Sequence, residues 1–307
     1  MSIDHSRSLL DIEHLEKKDI LAIFRLARRM NPSRPKNTLY GKKVILLFYE
    51  ASTRTRVSFE LAAKSLGAAT TLVTATASSI EKGESLIDTG GTLIAEAADA
   101  IVMRHPSSGA PYLLARHFDI PIINAGDGLH AHPSQALLDA YTILKHHSEL
   151  HGLRVTIIGD IFHSRVARSN IHLLTKFGAH VTLCGPPELA PEACLGLSTG
   201  LRLTRDIEDA VHGADVVMLL RVQKERLQGV ALDIEEYISN YQMTMDRLKL
   251  AKRTAILMHP GPIIRGMELT DEVADCPQSV ILEQVHNGLL VRMAILERLL
   301  GAKGAQA

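Results

Sequence analysis

The chain has 307 residues, of which 46% are hydrophobic and 22% are charged. At roughly 150 residues per domain this length fits about two domains, and the composition allows a large buried core, which excludes a mainly disordered chain. The 34 basic residues equal the 34 acidic residues in number, so no overall charge attracts the chain to nucleic acid or to an anionic membrane. Any binding site for an anion must therefore be local.

Two further features narrow the class of protein. No apolar run approaches the ~20 residues that a membrane helix needs, and the first residues contain no apolar signal core. The three cysteines, Cys184, Cys194 and Cys276, are odd in number and lack metal-ligand spacing, which indicates thiols in a reducing compartment and argues against a zinc site. We therefore expect a cytoplasmic protein that binds no metal, no cofactor, no membrane and no nucleic acid.

Predicted helices and strands alternate in the first half of the chain. Apolar residues recur at helical spacing between positions 20 and 30, which predicts an amphipathic helix there. Residues 44–48 form a continuous apolar run, typical of a strand that is covered on both faces and hence of a parallel sheet. The alternation continues with strands predicted at 71–74, 101–103 and 120–123 and helices at 56–66, 86–97 and 112–117.

The second half repeats this alternation after a long helical pattern. A helix predicted over residues 134–150 carries the first domain boundary, and a helix over 289–300 closes the chain. Between them we predict strands at 155–158, 181–183, 216–219 and 255–258 and helices at 166–177 and 234–241. The expected fold is α/β, with two doubly wound domains that contain parallel sheets and are joined by interdomain helices. One domain comprises residues 1–135 plus 287–307, and the other comprises residues 136–286.

The most informative motif lies between the first predicted strand and the helix that follows it. Residues 48–56 have the sequence Phe-Tyr-Glu-Ala-Ser-Thr-Arg-Thr-Arg. A helix start offers unpaired backbone N–H groups and the positive end of the helix dipole, and Ser, Thr and Arg side chains add donors that suit phosphate oxygens. The motif favours a phosphate site, with a helix cap followed by surface arginines as the simpler alternative. It is not a P-loop, because the Gly-x-x-x-x-Gly-Lys frame is absent.

This motif and three later segments resemble the aspartate/ornithine carbamoyltransferase family. The later segments are Met-Arg-His-Pro at 103–106, His-Pro-Ser-Gln at 132–135 and His-Pro-Gly-Pro at 259–262, and they occur in the order found in that family. The resemblance spans nearly the whole chain. It implies that Ser52, Thr53, Arg54 and Thr55 bind the phosphate of carbamoyl phosphate.

The first two of these segments have side chains that fit this chemistry. Arg104 follows a predicted strand, and open α/β sheets bind ligands at the carboxyl ends of strands, so Arg104 would join Arg54 at the dianion. His132 and Gln135 share one face of a helix start, where the imidazole suits the carbamoyl oxygen and the amide suits the carbamoyl NH2. Without the neighbouring motifs, His132 would be interpreted as a cap or core histidine.

The segment at 259–262 has little side-chain chemistry. Pro260 and Pro262 have no N–H group, so the carbonyls of Pro260 or Gly261 are free to accept the carbamoyl NH2. The alternative interpretation is a tight turn after a strand.

The polar segment at 78–84 is typical of a solvated loop. In the family, a serine and a lysine on this loop reach into the active site of a neighbouring subunit. The resemblance gives these roles to Lys82 and Ser78, with Ser79 as the alternative serine. It implies a shared active site and a homotrimer.

Segments in the second half indicate the acceptor. Residues 159–165 follow a predicted strand and precede a helix, but Gly-x-Gly-x-x-Gly is missing, which argues against NAD. Arg165 resembles the aspartate-binding arginine of the family, and Arg221 resembles a carboxylate clamp that Gln223 assists. The late segment lacks the cysteine typical of the ornithine branch. Ile264 stands where many members of the aspartate branch have Asn, and its side chain cannot form a hydrogen bond.

The resemblance, with these features, implies transfer of the carbamoyl group of carbamoyl phosphate to the amine of L-aspartate, as in de novo pyrimidine biosynthesis. In that reaction Thr55, Arg104 and His132 would stabilise the developing oxyanion, Arg54 would offset charge on the leaving phosphate, and Lys82 would also contact aspartate. The alternatives are another amino-acid acceptor, such as ornithine, and a catalytically silent subunit that binds a phosphometabolite. A larger assembly with regulatory or dihydroorotase chains is a further option.

Overall fold

The chain folds into two compact units, which are described here from a computed structural model of residues 7–74, 83–222 and 232–301. Unit 1 comprises Met1–Leu137 and His286–Ala307, and unit 2 comprises Leu138–Val285. Within the described residues, no helix combines the length and the apolar character that crossing a membrane requires.

A four-stranded sheet forms the centre of unit 1. Its strands are β1 (Lys43–Phe48), β2 (Ala69–Thr74), β3 (Ala100–His105) and β4 (Ile122–Asp127). All pairings are parallel and the strand order is β2-β1-β3-β4. β1 and β3 are buried along most of their length because their Val, Ile and Leu side chains are covered on both faces, whereas the edge strand β2 is more exposed.

Helices precede, connect and follow the strands of unit 1. They are α1 (Lys17–Ala27), α2 (Thr53–Ser65), α3 (Leu86–Ala95) and α4 (Ala110–His117), followed by α5 (Pro133–His146). α1 buries one apolar stripe that includes Ile20, Ile23 and Phe24. The chain passes from unit 1 to unit 2 within α5.

A five-stranded sheet forms the centre of unit 2. Its strands are β5 (Arg154–Ile158), β6 (His180–Cys184), β7 (Arg202–Thr204), β8 (Val216–Leu219) and β9 (Ile256–Met258). All pairings are again parallel, and the order is β7-β6-β5-β8-β9. β5 is the central strand, and β6, β5 and β8 each pair with a strand on both sides.

The helices that follow α5 are shorter, apart from the first and the last, and most of the last helix belongs to unit 1. They are α6 (Arg165–Lys176), α7 (Ile207–Val211), α8 (Ile234–Tyr241), α9 (Met245–Leu248), α10 (Asp271–Ala274) and α11 (Ile281–Leu300). A 3-10 helix, Glu192–Leu197, precedes β7. The chain returns to unit 1 within α11.

Each unit has its own apolar core between its sheet and its helices. The core of unit 1 includes Leu47, Ile101, Met103, Leu114 and Ile122. The core of unit 2 includes Ile158, Val217, Leu219, Tyr237 and Leu257. Burial of these side chains fixes the strand register, so the ends of the strands are firm supports for the loops that follow them.

The predicted fold class is confirmed, since two α/β units with parallel sheets are present, but several elements differ from their predicted extent. β4 continues past residue 123 to Asp127. The prediction stopped short because Asn124 and Asp127 are buried polar residues, which an apolar pattern does not mark. α11 begins at Ile281, ahead of the predicted residue 289. The prediction missed its first turns because the buried polar residues Gln284 and Asn287 interrupt the apolar stripe. β7, α7, α9 and α10 were not predicted, since such short elements show no periodicity.

Two neighbouring glycines in α3 provide a matched test of the packing in unit 1. A Cβ at Gly90 would lie 2.6 Å from Cε2 of Phe118 and 2.9 Å from Cδ2 of Leu114, whereas a Cβ at Gly91 would have its nearest neighbour at 3.9 Å. Alanine gains ~0.5–1 kcal/mol over glycine inside a helix. We expect Gly91→Ala to raise the midpoint of thermal unfolding and Gly90→Ala to lower it, because Leu114 is fully buried and has no room to retreat. Shifts of the same sign and size in both variants would contradict this packing.

Candidate active site

The residues expected to bind phosphate lie at the carboxyl end of the unit 1 sheet. α2 begins shortly after β1, and Phe48, the last residue of β1, pairs with Arg104 on β3. The N–H of Tyr49 donates to the carbonyl oxygen of Arg104 at 2.9 Å, which joins the two strand ends. Open α/β sheets bind ligands at this edge. The pairing of β1 with β3 therefore brings Arg104 to the same edge as the start of α2.

The first turn of α2 is rich in hydrogen-bond donors. Ser52 is the N-cap residue, and its side chain accepts no capping hydrogen bond, so its hydroxyl is not used by the helix. The first turn contains no acidic residue, and its backbone N–H groups have no acceptor within the helix. Thr53 and Arg54 are exposed, whereas Thr55 is buried. These donors lie at the positive end of a helix, which is an arrangement that binds anions.

Arg104 is shielded from solvent and lies beside an acidic residue. Its Nε is 3.3 Å from Oε2 of Glu50, and the two side chains are 17% and 23% exposed. Partial burial strengthens the attraction between the two charges. The sequence pattern gave Glu50 no role, although the residue lies inside the motif at 48–56. In the structure Glu50 forms an ion pair with the Arg104 guanidinium.

Tyr49 and His105 form an aromatic pair at the same strand ends, with their ring centroids 4.5 Å apart. The N–H of Ser107 donates to Nδ1 of His105 at 2.9 Å, and burial lowers the pKa of this imidazole. Burial also raises the pKa of the Tyr49 hydroxyl. Both side chains are therefore neutral near neutral pH, and the charge at these strand ends comes from Arg104 and Glu50.

A buried carboxylate shapes the turn that leads into α5. Asp127 accepts hydrogen bonds from the N–H of Gly109 at 2.7 Å, from the N–H of Ala131 at 3.1 Å and from Nδ2 of Asn124 at 2.8 Å. Its hydrogen bond with His130 raises the pKa of that imidazole. These donors offset the cost of burying a carboxylate. They also hold residues 127–131 in one conformation.

His132 and Gln135 lie at the start of α5. The carbonyl oxygen of His132 accepts the N–H of Gln135 at 3.0 Å and that of Ala136 at 3.3 Å. Pro133 occupies the first helical position, where its missing N–H costs no hydrogen bond. His132 and Gln135 are 4% and 8% exposed. Because they are three positions apart, they share one face of this helix start.

In unit 2, the two arginines expected to bind aspartate follow adjacent strands. β6 lies on one side of β5 and β8 on the other, so the direction of the crossovers reverses between β5 and β8. Open α/β sheets bind ligands at such a switch point. Arg165, the first residue of α6, follows β5 and is 5% exposed, and Arg221 follows β8. Parallel pairing therefore places both arginines at the same edge of the sheet.

The loop between β5 and α6 is held by Asp160 and Gly159. Oδ1 of Asp160 accepts the N–H of His163 at 3.1 Å and lies 2.9 Å from Nδ1 of the same residue. Gly159 has a φ of 118°, and a Cβ there would lie 3.0 Å from the carbonyl oxygen of Leu220. Glycine is needed because the chain after β8 passes so close. This glycine thus serves strand packing, in line with the absence of a dinucleotide-binding motif.

The segment at 259–262 follows β9 and forms a turn that is stabilised by a hydrogen bond to the side chain of His259. Nδ1 of His259 accepts the N–H of Gly261 at 2.8 Å, and the N–H of His259 donates to Oε1 of Gln284 at 2.9 Å. Pro260 and Pro262 have no N–H group. The single N–H of residues 260–262 is therefore used inside the turn, which leaves carbonyl oxygens as the polar groups that this turn can offer a ligand.

Glu268 is a buried acid that the sequence pattern did not reveal. It is 1% exposed, and it accepts the N–H of Val222 at 3.2 Å and the N–H of Ile264 at 2.7 Å. Burial raises its pKa to about 7, although these two N–H groups and the charge of Arg221 act in the opposite direction. Glu268 thus connects the chain next to Arg221 with the loop after β9. Ile264 takes part through its main chain, so the loop does not depend on a polar side chain at that position.

The structure places the expected site residues in two groups. Unit 1 contains Ser52, Thr53, Arg54, Thr55, Arg104, His132 and Gln135, and unit 2 contains Arg165, Arg221, Pro260, Gly261 and Pro262. Ser78, its alternative Ser79, Lys82 and Gln223 lie outside the described residues. Within residues 7–74, 83–222 and 232–301, no group of three or more His, Cys, Asp or Glu side chains is placed to hold a metal ion.

Two family models together match almost the whole chain. Residues 7–145 match the carbamoyl-P binding domain of aspartate/ornithine carbamoyltransferase, and residues 151–299 match the Asp/Orn binding domain of the same family. The chain therefore belongs to the aspartate/ornithine carbamoyltransferase family.

Within this family the curated relatives are more specific. The chain is 66% identical to the aspartate carbamoyltransferase catalytic subunit of Koribacter versatilis, over 96% of this chain and 97% of that protein. It is 56% identical to the protein of the same name from Solibacter usitatus, over 95% of this chain and 99% of that protein.

Solved structures of both branches share the fold. Aspartate transcarbamoylase from Trypanosoma cruzi, in complex with carbamoyl aspartate and phosphate, superposes with a TM-score of 0.87 at 32% identity, covering 97% of this chain and 96% of that one. Ornithine carbamoyltransferase from Pyrococcus furiosus also gives 0.87, at 29% identity, covering 98% and 99%. Since the fold is common to both, the backbone does not distinguish the acceptors.

The buried Glu268 predicts a pH dependence of stability. Its pKa is about 7 in the folded chain, against an ordinary value of 4.5. Between these values the folded chain binds more protons than the unfolded chain, so the contribution of Glu268 to the free energy of unfolding is complete below pH 4.5 and is lost as the pH rises through 7. The full difference is on the order of 3 kcal/mol. We therefore expect the stability of the wild type to fall relative to that of Glu268→Gln when the pH is raised from about 5 to about 8.

Denaturant unfolding at several pH values measures this difference. Glu272→Gln, which removes an exposed carboxyl nearby, is the matched control and should follow the wild-type curve. Parallel pH dependence in the wild type and Glu268→Gln would show that Glu268 keeps an ordinary pKa.

Proposed function

We propose that this chain transfers the carbamoyl group of carbamoyl phosphate to the amine of L-aspartate and releases N-carbamoyl-L-aspartate and phosphate. The observation that carries the proposal is the 66% identity, across almost the full length, to a relative named aspartate carbamoyltransferase catalytic subunit. The charges at the two sheet edges support it. Unit 1 offers donors for a phosphate dianion, and unit 2 offers two arginines for a dicarboxylate. The reaction is a step of de novo pyrimidine biosynthesis.

Carbamoyl phosphate binds in unit 1 in this proposal. The hydroxyls of Ser52, Thr53 and Thr55 and the first-turn N–H groups of α2 hold the phosphate oxygens, and Arg54 adds a guanidinium. Arg104 reaches the same anion from the end of β3. The contact between Arg104 and Glu50 keeps the guanidinium ordered before the substrate arrives, which lowers the entropy cost of binding.

The carbamoyl group is held by groups that favour charge on its oxygen. Thr55, Arg104 and His132 donate to the carbonyl oxygen and stabilise it as the amine attacks the carbon. Gln135 and the carbonyl oxygens of Pro260 or Gly261 accept the carbamoyl NH2, with Pro262 keeping the turn rigid. These contacts orient the carbon toward the amine, and orientation alone contributes a large part of the rate in such bimolecular reactions.

Aspartate binds through its two carboxylates. Arg165 and Arg221 clamp them, with help from Gln223. Lys82 of a neighbouring subunit adds a third cation, and Ser78 or Ser79 of that subunit also enters the site. The amine forms the new C–N bond, the C–O bond to phosphate breaks, and the phosphate takes the proton released by the amine. Arg54 offsets the charge that develops on the leaving phosphate.

The proposed assembly is a homotrimer in which each active site takes Lys82 from the next subunit. The names of the curated relatives describe a catalytic subunit, which fits an oligomer that can also bind regulatory or dihydroorotase chains. We place the enzyme in the cytoplasm, because all three cysteines are free thiols, as expected in a reducing compartment.

An assay with several acceptors tests the reaction. Carbamoyl phosphate is supplied with L-aspartate, with L-ornithine or with no acceptor, and phosphate release is measured together with the mass of the product. We expect N-carbamoyl-L-aspartate as the product and little turnover with ornithine, because two arginines cannot pair with a cationic side chain. Preference for ornithine would contradict the choice of acceptor, and absence of turnover with every acceptor would favour a silent subunit.

Arg54→Ala tests the phosphate site. The loss of one charge-assisted contact that strengthens as the leaving group becomes charged should lower kcat by ~10²-fold or more. Lys64→Ala is the matched control, since Lys64 is an exposed cation at the other end of α2 that pairs with Glu60. We expect the control to keep wild-type kinetics. A folded Arg54→Ala protein with near-normal turnover would refute the role of the α2 N-terminus.

Mixed trimers test whether the active site is shared. Arg54→Ala and Lys82→Ala subunits, each nearly inactive alone, are dissociated and reassembled together. If Lys82 serves the neighbouring site, some interfaces regain an intact pair and part of the wild-type activity returns.

In the matched control for this experiment, Arg54→Ala subunits are reassembled with Arg104→Ala subunits. Both residues are proposed to serve the site of their own chain, so every site in these mixed trimers keeps one lesion and no activity should return. If verified mixtures of Arg54→Ala and Lys82→Ala stay as inactive as this control, Lys82 does not act across an interface.

A further inference from the structure

Unit 2 contains a buried chain of hydrogen bonds that ends at the turn after β9. Nδ2 of Asn170 donates to Oδ2 of Asp139 at 2.8 Å, Nε2 of Gln284 donates to Oδ1 of Asp139 at 2.9 Å, and the N–H of His259 donates to Oε1 of Gln284 at 2.9 Å. The four residues are at most 3% exposed. Solvent therefore cannot replace a partner that is lost from this chain.

Each amide in this chain has a single satisfactory orientation. Nδ2 of Asn170 also donates to the carbonyl oxygen of Val166 at 3.1 Å, so both of its neighbours are acceptors. An ionised Asp139 carboxylate has only acceptor oxygens, so Gln284 must present its NH2 to Asp139 and its oxygen to the N–H of His259. The carboxylate thus determines the orientation of the amides on both sides.

This chain of hydrogen bonds connects elements that carry residues of the proposed site. Asn170 lies in α6, which begins with Arg165, and His259 begins the turn that contains Pro260 and Gly261. Asp139 in α5 and Gln284 in α11 lie between these two elements. Because charge-assisted hydrogen bonds in a dry interior are strong and directional, the chain fixes α6 relative to the turn after β9.

We propose that Asp139 and Gln284 are positioning residues for carbamoyl transfer. They hold the carbonyl oxygens of Pro260 and Gly261 and the start of α6 in the geometry that the transition state requires. This inference rests on the proposed function, since it assumes that the turn and Arg165 contact the substrates. Neither residue needs to contact a substrate itself.

Carboxylate and amide side chains have the same shape, so the hydrogen-bond donors and acceptors at positions 139 and 284 can be exchanged without a change in size. In Asp139→Asn the one remaining oxygen accepts the hydrogen bond from Asn170, so the new NH2 group faces the NH2 group of Gln284 and these two donors cannot form a hydrogen bond. In Gln284→Glu a second carboxylate faces Asp139. The double variant Asp139→Asn/Gln284→Glu moves the carboxylate from position 139 to position 284, and the three hydrogen bonds that link Asn170, residue 139, residue 284 and His259 can form again. Asn170 then donates to the amide oxygen at 139, the amide NH2 donates to the carboxylate at 284, and this carboxylate accepts the N–H of His259.

Steady-state kinetics of the full-length variants, measured with carbamoyl phosphate and L-aspartate, test the proposal. We expect each single variant to lower kcat by about tenfold or more, and the double variant to return to within about threefold of the wild type. The dissociation constant for inorganic phosphate, measured by calorimetry, should change by less than about twofold in all three variants, because the proposed phosphate ligands lie on α2 and β3.

Thr156→Val is the control for the loss of a buried hydrogen bond as such. Thr156 lies in β5, and its hydroxyl donates to the carbonyl oxygen of Ala210 at 2.6 Å. This hydrogen bond is not part of the series that links Asn170 to His259. This variant should unfold at a lower temperature and keep wild-type kcat. A purely structural role of Asp139 and Gln284 would make their single variants behave in the same way, and would overturn the proposal.

The double variant keeps the test decisive when a single variant fails to fold. A folded double variant with restored kcat supports the proposal, and a double variant that is inactive or unfolded overturns it. Wild-type turnover in the same assay separates this inference from the proposed function. A wild type that makes no N-carbamoyl-L-aspartate overturns both, whereas an active wild type with unaffected single variants overturns only the role of Asp139 and Gln284.

Discussion

Parallel strand pairing is the constraint on which the rest of this structure depends. A parallel neighbour can be reached only by a crossover, so each strand ends at the same edge of the sheet and a helix follows it. In unit 1 this rule sets the first turn of α2 beside Arg104, and in unit 2 it sets the first turn of α6 and Arg221 at one edge. Burial of the strands on both faces stabilises these registers, and the registers determine which distant residues share an edge.

Buried carboxylates then shape the loops that the sheets support. Asp127 and Glu268 each accept two main-chain N–H groups, and Asp139 accepts two side-chain amides. A buried acid without donors would cost several kcal/mol, so the donors make these positions possible, and in return each acid restricts a segment that has no regular structure of its own. The balance differs between sites. At Glu268 the cost of burial exceeds the effect of the donors, which is why its pKa is raised.

Local patterns were sufficient to predict the α/β class, the central strands and the position of the phosphate motif between β1 and α2. These features depend on neighbours in the sequence, such as the apolar run of β1 and the Ser-Thr-Arg-Thr-Arg that follows it. The polar end of β4 and the first turns of α11 were missed because Asn124 and Gln284 are buried polar residues, whose partners are far away in the sequence. The same reason explains why Glu50 and Glu268 had no assigned role. Ile264 shows the converse, since its main-chain N–H serves where its side chain cannot.

The division of the chain has a consequence for folding during synthesis on the ribosome. Unit 2 is one continuous segment, whereas unit 1 consists of the N-terminal segment and a C-terminal segment that contains most of α11. Arg292 on α11 donates to the hydroxyl of Ser58 at 2.9 Å, and its guanidinium carbon lies 5.2 Å from the centre of the Phe59 ring. The N-terminal sheet and helices therefore gain part of their packing only from residues that are translated after unit 2. Unit 2 can therefore complete its fold while the first-made segment still lacks a piece of its core. The nascent chain exposes the α2 surface that Arg292 covers until α11 has been translated.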